Sequence, residues 1–252
     1  MALVTVIIPI LNAMPFLPEA LASLEAQTFK DFEVCLWDNG STDGSVEKAR
    51  QWIPSRLKGR VVSNNPLPLH ECLRRMVAES QTEFVARMDG DDLISSTRFE
   101  LQLKKLHKDT CLIGVGGQLE TINPNGHKIA NMPYPVKYHD ILSRLLSSSP
   151  LPHAAMMMRS GAILDCGNYQ YPAPVEDFDL WFRFLKNGSV VNLKDTIYSY
   201  RIHCGGITEQ AKRAESHYQA AFECLKRNVP NFFAIEEKVF LKLFAKQHPV
   251  SF

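Results

Sequence analysis

The first part of the chain, to about residue 95, alternates between short apolar runs and segments with helical apolar spacing, and this alternation restricts the fold most. β-Branched runs that read as buried strands are "LVTVIIP", which Pro9 ends, "DFEVCLW", "GRVVSNN" and "EFVARM". The helical patterns between them are "FLPEALASLEAQ", "SVEKARQWI" and "LHECLRRMVAES". Strands that alternate with helices in this way predict an α/β fold with a Rossmann-like, mostly parallel central sheet and helices on both faces.

The second half of the chain predicts a less regular arrangement. A helix, "TRFELQLKKLHKD", precedes a strand, "CLIGVGGQL", that leads into a hairpin turned at Asn123 to Gly126. The next predicted elements are a helix in "KYHDILSRLLSSS", a strand and short helix in "HAAMMMRSGAILDCG", and a helix in "EDFDLWFRFLKNG". Two strands, "SVVNL" and "TIYSYRIH", follow, and the chain is predicted to be helical from about Thr208. We expect one domain, residues 1–207, and a C-terminal helical extension, residues 208–252.

Composition and charge narrow the classes of function. A chain of 252 residues can form one large α/β domain, and a net charge of +1 gives no basic field for nucleic acid. The six cysteines are scattered with no C-x-x-C pair, which is typical of reduced cytoplasmic thiols. The N-terminus has no basic n-region, and no apolar run approaches the roughly 20 residues of a spanning helix. We expect a cytoplasmic protein that does not itself cross a membrane.

Polar segments follow three of the predicted strands. "IPILN", "WDNGSTD" and "RMDGDD" each fall at the carboxyl end of a strand. Ligands of open parallel α/β sheets bind beyond these ends. The three segments are far apart in sequence, but they should line one crevice.

The strongest signal in this set is the group of three carboxylates Asp89, Asp91 and Asp92. Like charges this close repel, and each loses hydration if buried, so a cation is expected beside them. Hard oxygen ligands suit Mg²⁺ or Mn²⁺, which take further ligands from phosphate and water. The D-x-D pair therefore suggests a metal–diphosphate site, although alone it could equally be a solvated acidic turn before the next helix.

The segment after the second strand favours a nucleoside site. Asp38 and Asn39 can hydrogen-bond the edge of a nucleobase, and Gly40 permits a tight turn. Ser41 and Asp43 are better explained by the turn and by capping of the next helix.

The C-terminal half supplies a second acidic pair and a histidine. Glu176 and Asp177 precede an amphipathic helix, so they could cap it, or a carboxylate there could take the proton of an attacking hydroxyl. Asp179 lies further into the helix and is expected to be structural. His203 could ligate a metal or be structural, and Arg201 could contact phosphate or pair with an acid.

Six segments in this order resemble the inverting glycosyltransferases of family 2, which have the GT-A fold. The resemblance spans roughly residues 3–207. The segments that carry it are "VTVIIPILNA", "FEVCLWDNGSTDGS", "EFVARMDGDDLISSTRFELQ", "PHAAMMMRSGAILDCGNY", "VEDFDLWFRFLKNG" and "YSYRIHCGGIT". The pattern is most similar to bacterial enzymes that act on cell-surface polysaccharide or lipopolysaccharide.

The resemblance implies a nucleoside-diphosphate-sugar donor and a divalent metal, Mg²⁺ or Mn²⁺. Asp91 would bind the metal on the diphosphate, Asp89 would contact ribose, the metal or its water, and His203 would be a further metal ligand. The remaining residues implied in nucleotide and donor binding are Pro9, Leu11, Asn12, Asp38, Asn39 and Arg87.

The resemblance also implies the acceptor side and the reaction. Asp177 would deprotonate the acceptor hydroxyl, a saccharide or a lipid-linked sugar, with Glu176 and Trp181 beside it. The mechanism would be one in-line displacement at the anomeric carbon, with inversion. The "QxxRW" signature of processive synthases is absent, which favours transfer of one sugar per encounter.

Two residues depart from the pattern of the family. Leu11 stands where members often carry an aromatic residue that stacks on the base, and an aliphatic side chain should grip less specifically. Asn39 stands where many members carry a second acid, which leaves UDP, dTDP and GDP open as the donor nucleotide.

The C-terminal segment "NFFAIEEKVFLKLFAKQH" predicts an amphipathic helix. It could dock on the catalytic domain or on a second copy in a homo-oligomer. It could instead lie on the inner face of the cell membrane, where it would reach a lipid-linked acceptor.

Two other functions remain open on the residues alone. A sugar-phosphate nucleotidylyltransferase is also α/β and Mg²⁺-dependent, but it usually has a glycine-rich basic loop after the first strand, which "IPILNAMPF" lacks. A non-catalytic nucleotide-sugar-binding protein would tolerate the loss of Asp177.

Overall fold

The apolar runs of the sequence form one sheet in the computed structural model, which describes residues 2–63, 65–145, 147–204 and 215–229. The strands are β1 (Val4–Ile10), β2 (Phe32–Asp38), β3 (Gly59–Ser63), β4 (Phe84–Arg87), β5 (Leu93–Ile94), β6 (Leu112–Ile122), β7 (Lys128–Met132), β8 (Met157–Arg159) and β9 (Ser189–Arg201). The helices are α1 (Leu17–Glu25), α2 (Ser45–Trp52), α3 (Leu69–Ala78), α4 (Arg98–Lys108), α5 (Tyr138–Leu145), α6 (Ser160–Asp165), α7 (Glu176–Phe184) and α8 (Glu215–Asn228).

The sheet has the strand order β3-β2-β1-β4-β8-β6-β9-β5, with β7 paired to the outer part of β6. Strands β3, β2, β1 and β4 are parallel, as the strand–helix alternation predicts. Strand β8 runs antiparallel between β4 and β6, and β6 is parallel to β9. The carboxyl ends of β1, β2 and β4 therefore lie side by side, and the polar segments that follow them share one edge of the sheet.

Hydrophobic cores cover both faces of the sheet, because alternate residues of each strand point to opposite faces. In β1, Val6 and Ile8 pack with α1, α2 and α4, whereas Ile7 packs with α3, α6 and α7. Helix α4 buries Phe99 and Leu103, which are four positions apart on one helix face, in the core that contains Val6 and Ile8. The predicted α/β fold is confirmed.

Two strands differ from their predicted limits. Strand β1 continues through Pro9 to Ile10. The nitrogen of Pro9, which carries no hydrogen, faces β4. The pairing of β1 with β4 already ends at Ile7, so Pro9 removes no hydrogen bond between these strands. The two predicted strands "SVVNL" and "TIYSYRIH" form one strand, β9. Lys194 and Asp195 are exposed and resemble a turn, but shifts in the pairing of β6 with β9 let the strand continue past them.

Helix α8 docks on α7 through apolar residues that join the same core and through one buried carboxylate. Asp179 accepts hydrogen bonds from Arg183 at 2.7 Å, Arg227 at 2.9 Å and Asn228 at 3.2 Å, which gives it the structural role expected from the sequence. The segment "NFFAIEEKVFLKLFAKQH", for which an amphipathic helix is predicted, lies outside the described residues. Across the ranges that the structure describes, no helix is long and apolar enough to span a bilayer.

Candidate active site

The carboxyl end of β4 carries a buried ion pair. Arg87 is 5% exposed, and its Nη1 lies 2.5 Å from Oδ2 of Asp89. Burial alone would lower the pKa of Arg87, but the attraction of Asp89 outweighs burial and raises it. Part of the positive charge expected beside the three acids is therefore supplied by Arg87 itself.

Asp92 is a structural residue of the acidic loop. It is fully buried, and its carboxylate accepts hydrogen bonds from the Tyr198 hydroxyl at 2.8 Å and the Arg201 N–H at 2.7 Å. Burial, and then the charges of Asp89 and Asp91, raises the pKa of Asp92 well above its ordinary value. The Tyr198 hydroxyl also accepts the Asp89 N–H at 3.1 Å, so β9 fixes both acids of the loop.

Arg201 fixes the backbone of the same loop. Its Nε donates to the Asp91 carbonyl at 2.7 Å, and its Nη2 pairs with Glu19 at 2.7 Å. It also donates to the Pro124 carbonyl at 2.8 Å and is 1% exposed. Of the two interpretations of Arg201, pairing with an acid is the one that the structure displays.

Replacement of Tyr198 by Phe is expected to destabilise the protein by about 1–3 kcal/mol, because it leaves the Asp92 carboxylate and the Asp89 N–H each short of a partner. Urea denaturation measures this change. Tyr138→Phe is a matched control, since it removes the same atom from a half-buried residue with one bond, to the Leu185 carbonyl. Equal small losses in the two variants would contradict a special role for Tyr198.

Asp91 and His203 form the candidate metal centre. The Oδ2 of Asp91 lies 2.8 Å from Nε2 of His203, and their side chains are 29% and 17% exposed. Burial, and then the charge of Asp89, raises the pKa of Asp91, and His203 opposes this shift. One oxygen and one nitrogen ligand that both reach solvent fit a divalent cation that takes its other ligands from diphosphate and water.

The protein does not form a complete metal cage from its own side chains. Within the described ranges, no three His, Cys, Asp or Glu side chains are arranged to hold one ion. Asp89 pairs with Arg87 instead. Any cation at Asp91 would therefore depend on ligands from the substrate and from water.

The loops after β1 and β2 are tied to each other. Leu11 is 54% exposed, and Asn12 has a left-handed backbone, with φ of 52°. Oδ1 of Asn12 accepts the Thr42 N–H at 2.9 Å, and the backbone N–H of Asn12 donates to Ser41 Oγ at 2.8 Å. Asp43 accepts the Met14 N–H at 2.8 Å, in addition to the Ser45 N–H at the start of α2. Ser41 and Asp43 thus lie in the turn, as predicted, and they hold the first loop; the N-cap of α2 is Gly44, without a side-chain cap bond.

Asp38 and Asn39 are both engaged with protein groups. Asp38 is 1% exposed and accepts the Gly40 and Ser41 N–H groups and the Ser63 hydroxyl, each at 3.1 Å. The Asn39 side chain makes two bonds with the backbone of Leu67. Neither side chain is free to bind a base without competing with these partners.

The second acidic pair lies in the first turn of α7. Glu176 is 8% exposed, and its Oε2 is buried with no hydrogen-bond partner among the described residues. Burial, and then the charge of Asp177, raises the pKa of Glu176 to about 7. Asp177 is half-buried, accepts the Phe178 N–H at 2.7 Å, and faces Ser149 Oγ at 3.4 Å. Burial raises the pKa of Asp177 as well.

Behind this turn lie Trp181, which was predicted to lie beside the acceptor, and two residues that were not singled out from the sequence, His153 and Tyr169. Trp181 has no exposed surface and packs edge-on against His153, with ring centroids 5.8 Å apart, so its predicted contact with the acceptor finds no surface here. His153 Nε2 lies 2.7 Å from the Tyr169 hydroxyl, and burial and the nearby Arg87 lower its pKa well below the ordinary value. The "PHAA" segment was the one available signal, but no charged neighbour in sequence marks it.

A buried arginine, Arg98, holds the end of β4 from the far side. It donates to the Arg87 carbonyl at 2.9 Å and to the Met156 carbonyl at 3.3 Å. Burial lowers the pKa of Arg98 to about 10. Its position in a predicted amphipathic helix gave no signal of this role.

Replacement of Glu176 by Gln is expected to change how stability depends on pH. Because the pKa of Glu176 rises from 4.5 to about 7 on folding, the folded state binds more protons between these values. Its contribution to stability is therefore present at low pH and is lost as pH rises to 7, by on the order of 3 kcal/mol. Relative to wild type, E176Q should gain stability from pH 4.5 to 8 in denaturant titrations, whereas a constant difference would contradict the shift.

Comparisons with known proteins identify the family of this chain. The sequence model of the family described as "Glycosyl transferase family 2" matches residues 5–166. The chain is 29% identical over 205 residues to the putative glycosyltransferase EpsE of Bacillus subtilis, and the match covers 79% of this chain and 72% of EpsE. It is 27% identical over 245 residues to the O-antigen biosynthesis glycosyltransferase WbnJ of Escherichia coli, and this match covers 92% of this chain and 93% of WbnJ.

Solved structures show the same fold. Residues 1-349 of S. aureus TarS, in complex with UDP-GlcNAc, match with a TM-score of 0.72 and 19% identity, over 98% of this chain and 71% of that one. The mannosyltransferase PcManGT of Pyrobaculum calidifontis, in complex with GDP-Man and Mn²⁺, matches with a TM-score of 0.69 and 17% identity, over 98% and 70%. The chain belongs to glycosyl transferase family 2 and has the GT-A fold. It is therefore an enzyme, a glycosyltransferase, and the two alternatives left open by the residues are not supported.

Proposed function

We propose that this enzyme moves one sugar from a nucleoside-diphosphate-sugar to a hydroxyl of a saccharide or lipid-linked acceptor, with inversion. The product would belong to a cell-surface polysaccharide or lipopolysaccharide. Family membership supports the transfer, and the name of the WbnJ relative supports the type of product. Peripheral membrane contact through residues 208–252 and homo-oligomerisation remain predictions.

One observation carries the proposal: two pairs of carboxylates from distant parts of the chain lie near each other. The first pair, Asp89 and Asp91, follows β4, and the second pair, Glu176 and Asp177, begins α7. The Arg87 N–H donates to the Met156 carbonyl at 2.9 Å, and His153, in the same segment, packs against Trp181 of α7 with ring centroids 5.8 Å apart. Helix α7 therefore lies close to the end of β4, and the charge of Arg87 opposes the effect of burial on the pKa of both Glu176 and Asp177. This arrangement supports a donor site on one side and a proton acceptor on the other.

On the donor side, Asp91 and His203 would hold a divalent cation. When bound, the cation would neutralise charge on the diphosphate that departs. Arg87 and Asp89 would border the donor beside it. The exposed residues Leu11 and Asn12 would form the outer wall of the nucleotide site, with Pro9 and the buried Asp38 behind them.

On the acceptor side, Asp177 would act as the general base. The acceptor oxygen forms a bond to the anomeric carbon while the bond from that carbon to the diphosphate oxygen breaks. The proton of the acceptor hydroxyl passes to the Asp177 carboxylate, and the nucleoside diphosphate leaves with the electron pair. Burial raises the pKa of Asp177, which makes it a better proton acceptor than an exposed aspartate.

The test is transfer from a panel of UDP-, dTDP- and GDP-sugars, with Mn²⁺ and a set of saccharide acceptors. Release of nucleoside diphosphate identifies the donor, and NMR of the product reports the anomeric configuration. The proposal predicts that one nucleotide class is consumed and that the configuration inverts. A product with retained configuration, or consumption of no donor by the folded enzyme, would overturn it.

A further inference from the structure

We propose that Asn39 is a positioning residue of the nucleotide site, whose amide holds the loop 66–68 as a wall of the crevice. The base would be read against this wall and not by the Asn39 side chain. The inference rests on the proposed function for its ligand, a nucleoside diphosphate. The clamp itself is defined by contacts within the protein.

The clamp consists of two reciprocal hydrogen bonds. Nδ2 of Asn39 donates to the Leu67 carbonyl at 2.8 Å, and Oδ1 of Asn39 accepts the Leu67 N–H at 2.7 Å. Because Pro66 and Pro68 have no N–H, Leu67 supplies the one backbone donor of this loop. The Asn39 side chain therefore binds both the N–H and the carbonyl of Leu67, as the backbone of a neighbouring strand would.

Helix α3 packs against the clamp from inside. The Cys72 thiol lies 3.6 Å from Oδ1 of Asn39 and 3.7 Å from the Leu67 carbonyl. The Asn39 N–H donates to the Ile10 carbonyl at 2.9 Å, which fixes the backbone of Asn39 to β1. The amide is thus held on three sides and cannot turn towards a base without breaking both bonds to Leu67.

The clamped loop closes over the turn that follows β2. Gly40 has φ of 95°, and a Cβ at this position would lie 3.0 Å from Cγ of Pro66. The loop and the turn are therefore in contact at the carboxyl end of β2, next to Asp38. Nucleobase edges would meet the backbone of this wall, which is fixed only as long as Asn39 binds Leu67.

The clamp needs an amide at position 39. A carboxylate could still accept the Leu67 N–H, but it has no donor for the Leu67 carbonyl, and two oxygens would then face each other. An aspartate here would release one half of the loop and be free to face a ligand. The choice between Asn and Asp at this position therefore separates a loop clamp from a direct reader of the base.

The experiment compares Asn39→Ala and Asn39→Asp with wild type by two readouts. NMR hydrogen exchange of the Leu67 amide, without ligand, should be at least about tenfold faster in N39A, which removes both bonds, whereas N39D can still accept the Leu67 N–H. Calorimetry with UDP, dTDP and GDP in Mn²⁺ should show weaker binding of the nucleotide that wild type prefers, and no new preference for another base. Asn187→Asp, an exposed residue after α7, makes the same chemical change and should alter neither readout.

Two outcomes would overturn the inference. Unchanged exchange of Leu67 in N39A would show that Asn39 does not hold the loop. A switch of preference to another base in N39D, with unchanged exchange of Leu67 in N39A, would make Asn39 the direct reader. If wild type binds none of the nucleotides, the proposed function fails, whereas the exchange arm still decides whether the clamp exists.

Discussion

Replacement of Asp177 by Asn is expected to lower the rate of sugar transfer by about 10³-fold, because the amide cannot take a proton from the acceptor hydroxyl. The fold should persist, since the side-chain oxygen of Asn can still accept the Phe178 N–H and its amide can face Ser149 Oγ. Nucleotide binding should also persist, because the proposed role of Asp177 is towards the acceptor and not towards the nucleotide. Steady-state transfer and calorimetric binding of the donor nucleotide, both with Mn²⁺, measure the two effects.

A matched control for this variant is Asp165→Asn, which makes the same change at an exposed position on α6. The control should retain the wild-type rate. Transfer by D177N at a rate near that of wild type would remove Asp177 as the base. A parallel loss of nucleotide binding would instead show that the substitution disturbs the donor site.

Replacement of Asp91 by Asn is expected to lower nucleotide affinity in Mn²⁺ by about 100-fold, to the level seen without metal. The variant keeps the shape of the side chain, and the Arg201 bond to the backbone carbonyl of residue 91 does not depend on the carboxylate. The lost charge should therefore act on the cation and not on the loop. Calorimetric titration of the nucleoside diphosphate with and without Mn²⁺ measures the loss.

His203→Ala serves as the companion to this variant. If His203 is a ligand, its loss should also reduce the gain in affinity that Mn²⁺ provides, by less than the loss of Asp91 because a neutral nitrogen is removed in place of a charge. An Asp91→Asn variant that keeps its full Mn²⁺-dependent affinity would contradict the metal site at this position.

The fold follows closely from local patterns. The β-branched runs and the helical spacing between them predict the parallel strands, and the turn at Asn123 to Gly126 forms as expected, with Gly126 at φ of 80°. The single strand β9 was not predicted, because two exposed charged residues imitate a turn. The extra residues of β9 are accommodated in the pairing with β6, where Gly116 pairs with Asn192 but Gln118 pairs with Thr196. Whether a strand continues through such residues depends on its pairing with a strand distant in sequence, which the local sequence pattern does not contain.

The candidate site was predictable in its residue types but not in their partners. The sequence indicated an acidic loop at the end of β4, but the burial of Asp92 and its bond to Tyr198 depend on a strand more than 100 positions later. The same holds for Asn39, which a pattern of polar residues assigns to the base and the structure pairs with Leu67. Side-chain amides bind backbone and ligand with the same chemistry, so residue type alone cannot separate the two roles.

The most direct measurement is calorimetric binding of UDP, dTDP, GDP and CMP to the wild-type protein, each with and without Mn²⁺. The account predicts that at least one nucleoside diphosphate binds, that Mn²⁺ tightens this binding by about 100-fold, and that CMP, which lacks a diphosphate, gains nothing from the metal. Binding that is equal with and without Mn²⁺, or no binding to a folded protein, would contradict a metal–diphosphate site at Asp91.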